Sequence, residues 1–227
     1  SIQTSIAIEI ASALKTKITE SEKSVIEEKL TDNIEAYELY LKAKELYREV
    51  GQLSNRKIIK ELLRKIIDMD PEFAEAYALL SIYYSEGVHF GFDTSQGKKE
   101  KAENLIKRAF NIKPDSPDIQ FAYGYYYYGC YKDYLRALEH YQIAIEKEPG
   151  NSEFNAYMGY LHRRLGNWDK MAFYFEKASK LDPNGPNSFD GGMETYLFMK
   201  DYSKIDITKN YKTYQRLYPD KSFSFNF

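Results

Sequence analysis

The sequence has little cysteine and no long apolar run. Cys130 is the single cysteine among 227 residues, so the chain cannot form an internal disulfide framework. The longest stretch without a charged side chain covers residues 119–131, which is too short and too polar to cross a bilayer. The first ten residues, SIQTSIAIEI, lack the basic start of a secretory signal. We therefore expect no membrane segment in this chain.

An excess of charge of either sign is also missing. Lys and Arg number 32 and Asp and Glu number 34, which gives a formal net charge of −2. Nucleic-acid-binding domains usually carry a basic excess, so we expect no nucleic acid partner for this region. With 43% hydrophobic and 29% charged residues, the composition is that of a folded globular chain rather than a disordered tail.

Proline is scarce, with seven residues, but three of them are regularly spaced. Pro114, Pro149 and Pro183 are separated by 35 and then 34 residues. Three further columns keep the same steps: Ala102, Ala137 and Met171; Ile106, Tyr141 and Phe175; Ala109, Ala144 and Ala178. The first and third columns lie seven residues apart, on one face of a helix, and the proline ends that helix. The spacing predicts a helix–turn–helix repeat of about 34 residues.

These columns resemble the tetratricopeptide repeat (TPR), which places small residues, an aromatic residue and a closing proline on its second helix. The unit at 152–185 matches with Gly159, Trp168, Phe175, Ala178 and Pro183. It departs from the pattern at three positions, Asn155, His162 and Met171. The resemblance implies an all-α fold, a right-handed superhelix (α-solenoid) of stacked helix pairs.

The repeat register predicts the boundaries of the units. We expect N-terminal linker helices at 1–32, a degenerate first repeat at 33–71, and a second repeat at 72–114 with a long inter-helix loop at 85–96. A third repeat follows at 115–149, a fourth at 150–183, a degenerate fifth at 184–219, and the start of a further repeat at 220–227. Phe90 and Phe92 in the long loop are expected to pack back against the helices.

The front of the chain resembles a segment of large bacterial signalling proteins. In that segment an amphipathic helix containing IASAL (10–14) and an acidic helix (21–30) precede the motif TDNIEAYELYL (31–41). In such proteins it links a TolB-like region and an effector, a nucleotide cyclase or a winged-helix domain, to C-terminal TPRs. The resemblance implies the C-terminal part of a larger signalling protein. It also implies a cytoplasmic location, or a periplasmic one if a membrane helix lies upstream.

Residues that could carry chemistry are scattered. His89, His140 and His162 lie in different repeats without metal-ligand spacing, and His162 is expected to pack within a helix pair. Cys130 has no histidine near it in sequence and is interpreted as an ordinary thiol. Gly191 and Gly192 lack the context of a phosphate-binding loop. We therefore expect no catalytic residue, no metal and no cofactor, and a protein that is not an enzyme.

A binding surface is the remaining candidate for function. The TPR resemblance implies that the first helices line a concave groove, and the six predicted groove residues are Phe121, Tyr125, Tyr128, Tyr160, Arg163 and Arg164. Tyr and Arg are common at binding hot spots, although several of these rings could instead pack between repeats.

The predicted function is therefore a non-catalytic interaction module. It would bind a protein or peptide, with self-association into a homo-oligomer as a further possibility. The alternative is a TPR array that selects substrates for an attached enzyme such as a glycosyltransferase.

Overall fold

The computed structural model describes residues 30–48, 55–91, 97–183 and 185. In this part of the chain 81% of the residues are helical and there is no strand. The helices are α1 (Ile34–Arg48), α2 (Arg56–Met69), α3 (Ala74–His89), α4 (Lys98–Ile112), α5 (Pro117–Tyr126), α6 (Tyr134–Lys147), α7 (Ser152–Arg164) and α8 (Trp168–Leu181). The predicted fifth repeat, the final segment and the linker helices before residue 30 lie outside the described residues.

The helices pack as four consecutive pairs that stack into a right-handed α-solenoid. Each second helix buries the three columns that the sequence predicted, and all nine of those side chains are fully buried. In α2 the same face carries Ile59, Leu63 and Ile66, which are also buried. The repeat therefore arises because each second helix presents one apolar stripe to its neighbours.

Local signals fix where several helices begin. The side chain of Asn33 caps α1, because it accepts a hydrogen bond from the Ala36 amide at 3.0 Å. Asn151 caps α7 by accepting from the amides of Glu153 and Phe154. Such caps satisfy amides that lack a partner within the helix.

The longer spacing in the third repeat has a structural cause. Residues Tyr127–Tyr131 form a π-helical turn that continues α5, and this turn absorbs the one extra residue of the unit. The π-helical turn ends at Lys132, which has a left-handed backbone with φ of 58°.

The second repeat departs from the prediction at its loop. Helix α3 continues to His89, so the first five residues of the predicted loop at 85–96 are helical. Phe90 is 57% exposed, so the expectation that it packs back against the helices is wrong; Phe92 lies outside the described residues. In the described ranges no helix combines the length and apolarity that a membrane span needs.

Candidate protein-binding groove

The first helices of the four repeats, α1, α3, α5 and α7, line a common concave face. A cavity of about 40 Å³ lies between them. The rings of Tyr40 and Tyr47 from α1 and of Phe121 from α5 form its aromatic walls. A cavity of this size holds a few water molecules and can admit the end of a single side chain.

Three carboxylates from three successive repeats line the same cavity. Glu75, Asp118 and Glu153 each lie in the first turn of their helix, where the helix dipole favours negative charge. Glu75 is buried and pairs with Lys113 at 3.1 Å, but its Oε2 atom has no hydrogen-bond partner among the described residues. Burial raises the pKa of Glu75, an effect that the positive charge of Lys113 offsets in part, and burial also raises the pKa of Glu153.

The other side of the cavity carries positive charge from α1. Lys44 and Arg48 line it, and the guanidinium of Arg48 lies 3.4 Å from a carboxylate oxygen of Asp182, beyond the end of α8. This contact joins the first described repeat to the fourth, so the curvature of the solenoid brings its two ends together across the concave face. The cavity mouth is therefore polar and carries charges of both signs.

A buried polar network holds α1 against the groove. The Tyr47 hydroxyl donates to Glu86, and the Arg56 guanidinium lies 3.1 Å from the other carboxylate oxygen of Glu86. A second Arg56 nitrogen donates to the Tyr83 carbonyl at 2.7 Å. Burial raises the pKa of Glu86, while the Tyr47 hydrogen bond and the Arg56 charge lower it. The network links α1, α2 and α3 and fixes the position of the Tyr47 ring.

Three of the six predicted groove residues are interior residues. Phe121, Tyr125 and Tyr128 are 4%, 1% and 4% exposed. Phe121 stacks on Phe154 with ring centroids 4.8 Å apart, and Tyr125 meets Tyr157 edge-on at 5.3 Å. The expectation that these rings offer open contact area is therefore wrong, because the curvature of the solenoid closes the groove over them. Phe121 still lines the cavity from within.

The other three predicted residues lie at or near the surface. Tyr160 is half-buried against Phe175, and the Arg163 guanidinium lies 5.3 Å from the Tyr160 ring centre. Arg164 is exposed, and its Nε donates to the Tyr128 hydroxyl at 3.3 Å. The structure thus separates the six residues into a buried group and an edge group, which Tyr128 and Arg164 connect.

Two of the histidines and the cysteine pack against other side chains. His162 is buried and stacks on Tyr174, which confirms its predicted packing role. His140 stacks on Tyr123 with ring centres 4.6 Å apart. Burial raises the pKa of the Cys130 thiol, so it is protonated at neutral pH. Within the described residues no group of three or more His, Cys, Asp or Glu side chains could hold a metal ion.

Sequence reasoning missed the contribution of α1 to the groove. The first repeat is degenerate, and nothing in its sequence shows that Tyr40 and Tyr47 line one cavity with side chains from the third and fourth repeats. The carboxylates could be expected there, because Glu75, Asp118 and Glu153 occupy the second position of three successive first helices, a position that the TPR resemblance implies on the concave face.

Comparison of the sequence with known proteins gives limited matches. No model of a known protein family matches the chain. Protein O-mannosyl-transferase TMTC1 of Mus musculus is 27% identical over 150 residues, which cover 61% of this chain. The chain covers only 14% of the length of that relative.

Comparison of the structure with solved structures is more informative about the fold. A TPR protein of Thermus thermophilus, TTC0263, is similar with a TM-score of 0.61 at 16% identity, covering 82% of this chain and 93% of that one. PilW, a type IV pilus biogenesis factor, gives 0.57 at 18% identity, covering 84% and 80%. PilF of Pseudomonas aeruginosa gives 0.52 at 18% identity with the same coverage. Together with the buried columns, these similarities show that the described part of the chain has the TPR fold.

Proposed function

We propose that this chain is a protein-interaction module that binds a partner on its concave face. The observation that supports this most directly is the polar mouth of the cavity. Asp118 and Glu153 make no ion pair with any described residue, although both lie at a half-buried surface between helices. The charges of Lys44 and Arg48 act on Glu153 across the cavity, but neither cation contacts Asp118 or Glu153 directly. Partly buried carboxylates without a direct partner are costly to keep, so a partner that supplies hydrogen bonds or positive charge would stabilise them.

The aromatic side chains support the same proposal through preorganisation. The walls of the cavity are aromatic rings that neighbouring side chains hold in place. The centroid of the Tyr40 ring, for example, lies 4.9 Å from that of the Phe73 ring. A site whose walls are already ordered loses little conformational freedom when a partner binds. We expect the partner to contact Tyr160 and Arg163, which are half-buried, rather than the buried Tyr125.

The test uses charge reversal at the mouth. The whole chain and its Asp118→Lys and Glu153→Lys variants would serve as bait in cells of the source organism, with captured proteins quantified by mass spectrometry. Glu146→Lys is the control, because Glu146 is exposed on the second helix α6. We expect both mouth variants to lose a partner that wild type and control retain. Equal capture by all four proteins would rule out the concave face as the binding surface.

A second candidate function has one specific observation in its favour. The 27% identity to part of an O-mannosyl-transferase fits a TPR array attached to an enzyme, where it would select protein substrates. The concave face would then bind the substrate of the attached enzyme. Residues fused to this chain in its full-length protein decide between the two: a transferase domain supports the array, and a TolB-like or winged-helix domain supports the signalling context.

For the cellular setting we propose a bacterial signalling or regulatory protein, with this region as its non-catalytic scaffold. This rests on the resemblance of residues 10–41 to the linker of such proteins. The proposed location is the cytoplasm. A fusion of the full-length protein to alkaline phosphatase, which is active only outside the cytoplasm, tests it: phosphatase activity would place the region in the periplasm.

A further inference from the structure

One edge of the solenoid gathers hydrogen-bond donors from three repeats, and two of these donors are cationic side chains. Lys132, which follows the π-helical turn, places its Nζ 2.6 Å from the Nδ1 atom of His89 and 3.3 Å from the carbonyl of Gly129. His89 ends α3 and Arg164 ends α7. We refer to His89, Lys132 and Arg164 as the cationic edge.

Two stacked rings connect the members of the cationic edge. The His89 and Tyr128 rings are stacked, with centres 5.2 Å apart and planes inclined by 25°. Arg164 contacts the far end of this stack, since its Nε donates to the Tyr128 hydroxyl. Lys132 and Arg164 are both exposed, and the stacked His89 and Tyr128 rings link these two residues from different repeats.

The cationic edge has no negative partner in the described part of the chain. Elsewhere on the surface Lys107 pairs with Glu103 and Lys180 with Glu176, but no carboxylate pairs with Lys132 or Arg164. Burial and then the charges of Arg164 and Lys99 lower the pKa of Lys132. An anion bound here would relieve this repulsion between like charges.

The neutral state of His89 adds a third donor. Burial, followed by the charges of Lys132 and Arg164, lowers the pKa of His89 to about 4, so its ring is neutral at pH 7. An ammonium can only donate, so Nδ1 of His89 must accept the hydrogen bond from Lys132. The proton of the neutral ring therefore resides on Nε2, which is a donor.

The backbone conformation at Lys132 favours glycine, so folding alone does not explain the lysine at this position. Lys132 has a φ of 58° and precedes the capping residue of α6, Asp133. The equivalent residue before the capping Asn167 of α8 is Gly166, with φ of 73°. Glycine adopts this left-handed conformation without the steric cost that a β-carbon brings. The third repeat thus carries a charged side chain where the backbone favours glycine.

We propose that the cationic edge binds an oxyanion, a carboxylate or a phosphate, on a protein partner. Lys132 and Arg164 supply charge, and Nε2 of His89 supplies a neutral donor. Charged hydrogen bonds of this kind are stronger than neutral ones, and guanidinium suits both oxyanions. The C-terminal dipoles of α3 and α7 stabilise the cations while the site is empty. That the anion belongs to a protein rests on the proposed function.

The experiment follows backbone amide shifts of the 227-residue chain by NMR, in buffer free of phosphate. The probes are N-acetyl-phosphoserine amide, N-acetyl-glutamate amide and the neutral N-acetyl-glutamine amide. We expect the charged probes to bind in the millimolar range with shifts around Gly129 and Lys132, and the neutral probe not to bind. Tighter binding of phosphoserine would identify a phosphorylated partner, and tighter binding of glutamate an acidic segment.

Lys132→Gly is the decisive variant. It should weaken binding of the charged probes about tenfold, the loss of one charged hydrogen bond, while the melting temperature stays the same or rises. Arg164→Gln should weaken binding similarly. Lys147→Gln, which removes the same charge at the opposite end of α6, should bind as wild type does. Unchanged affinity in both edge variants would overturn the proposal.

Two further outcomes separate this inference from the proposed function. A 12-base-pair DNA duplex that binds more tightly than either probe, and is lost in the same variants, would overturn the assignment to a protein partner. Probe binding without any partner lost in Asp118→Lys or Glu153→Lys would contradict the groove proposal and leave the oxyanion site standing. Loss of a partner in Asp118→Lys or Glu153→Lys without any binding of the charged probes would contradict the oxyanion site alone.

Discussion

At the scale of single residues, tyrosine has two roles in this chain. Tyr125 is 1% exposed and packs against Tyr128 and Tyr157, whereas Tyr131, six residues later, is 51% exposed. A tyrosine contributes to stability mainly when its ring is buried, because the free energy follows the apolar area removed from water. The number of tyrosines in the sequence therefore does not predict a binding surface until the burial of each ring is known.

Replacement of Tyr125 tests its role as a core residue. Tyr125→Ala should lower the free energy of unfolding by about 3 kcal/mol or more, because it leaves a cavity that the neighbouring rings can fill only in part. Urea unfolding followed by circular dichroism measures this. Tyr131→Ala is the matched control and should cost about 1 kcal/mol at most. Equal losses in the two variants would contradict the assignment of Tyr125 to the core.

The buried pair of Arg56 and Glu86 makes a second prediction at this scale. The Arg56 and Glu86 side chains are 13% and 5% exposed, so Arg56→Met would leave a buried carboxylate without its cation. We expect a loss of about 3 kcal/mol. The double variant Arg56→Met, Glu86→Leu should recover much of it, because no buried charge then remains. A double variant as unstable as Arg56→Met would show that the packing of Arg56, rather than its charge, is what matters.

At the scale of helices, the third and fourth repeats each depend on a glycine in the first helix that faces an aromatic ring in the second. A β-carbon on Gly124 would lie 2.5 Å from the Tyr141 ring, and one on Gly159 would lie 2.8 Å from the Phe175 ring. Both rings are fully buried and have no free space to move into. The close approach of the two helices therefore requires glycine at these positions.

Gly159→Ala should thus destabilise the protein, although alanine is the better helix former. The clash with Phe175 should cost about 1–3 kcal/mol and outweigh the roughly 1 kcal/mol gained in helix propensity. Gly150→Ala is the control, since its β-carbon would meet nothing within 4 Å; it should be neutral or slightly stabilising. The measurement is the urea midpoint of both variants. A stabilised Gly159→Ala would mean that the helices can separate at little cost.

The helical repeat was predictable from sequence because its determinants are local. The columns of small and aromatic residues and the packing of His162 each reflect spacing along one helix pair, and both predictions are confirmed. The extra residue of the third repeat was also visible, but its absorption as a π-helical turn was not. That choice depends on how Gly129 packs against Ser85 in the neighbouring repeat.

At the scale of the whole molecule, the groove could be predicted only in part. Which rings are open depends on the superhelical curvature, which sums small rotations over four repeats and leaves no signal at any one position. That curvature buries Tyr125 and brings Arg48 to Asp182 across the concave face. The residues around the cavity therefore come from the geometry of the assembled solenoid.

Stability against pH also belongs to the whole molecule, because two sets of groups oppose each other. Burial lowers the pKa of the three histidines, so their protonation below pH 6.5 favours the unfolded chain. Burial raises the pKa of Glu75, Glu86, Glu148 and Glu153, so protonation of these carboxylates on acidification favours the folded chain. The two effects overlap above pH 4.5 and oppose each other there.

Replacement of one histidine should change how the stability depends on pH. In His89 the folded-state pKa of about 4 lies below the ordinary 6.5, so its contribution to stability is present above pH 6.5 and is lost as pH falls toward 4. His89→Gln removes the ionisable ring, so this loss of stability does not occur in the variant. The variant should therefore gain on the order of 1 kcal/mol relative to wild type between pH 7 and pH 5, a value reduced for solvent screening of a half-exposed ring. Urea midpoints at pH 7, 6 and 5 in phosphate-free buffer measure the difference, because a bound oxyanion would raise the pKa of His89 and mask it. Parallel pH profiles for the two proteins would mean that neither burial nor the charges of Lys132 and Arg164 lower the pKa of His89.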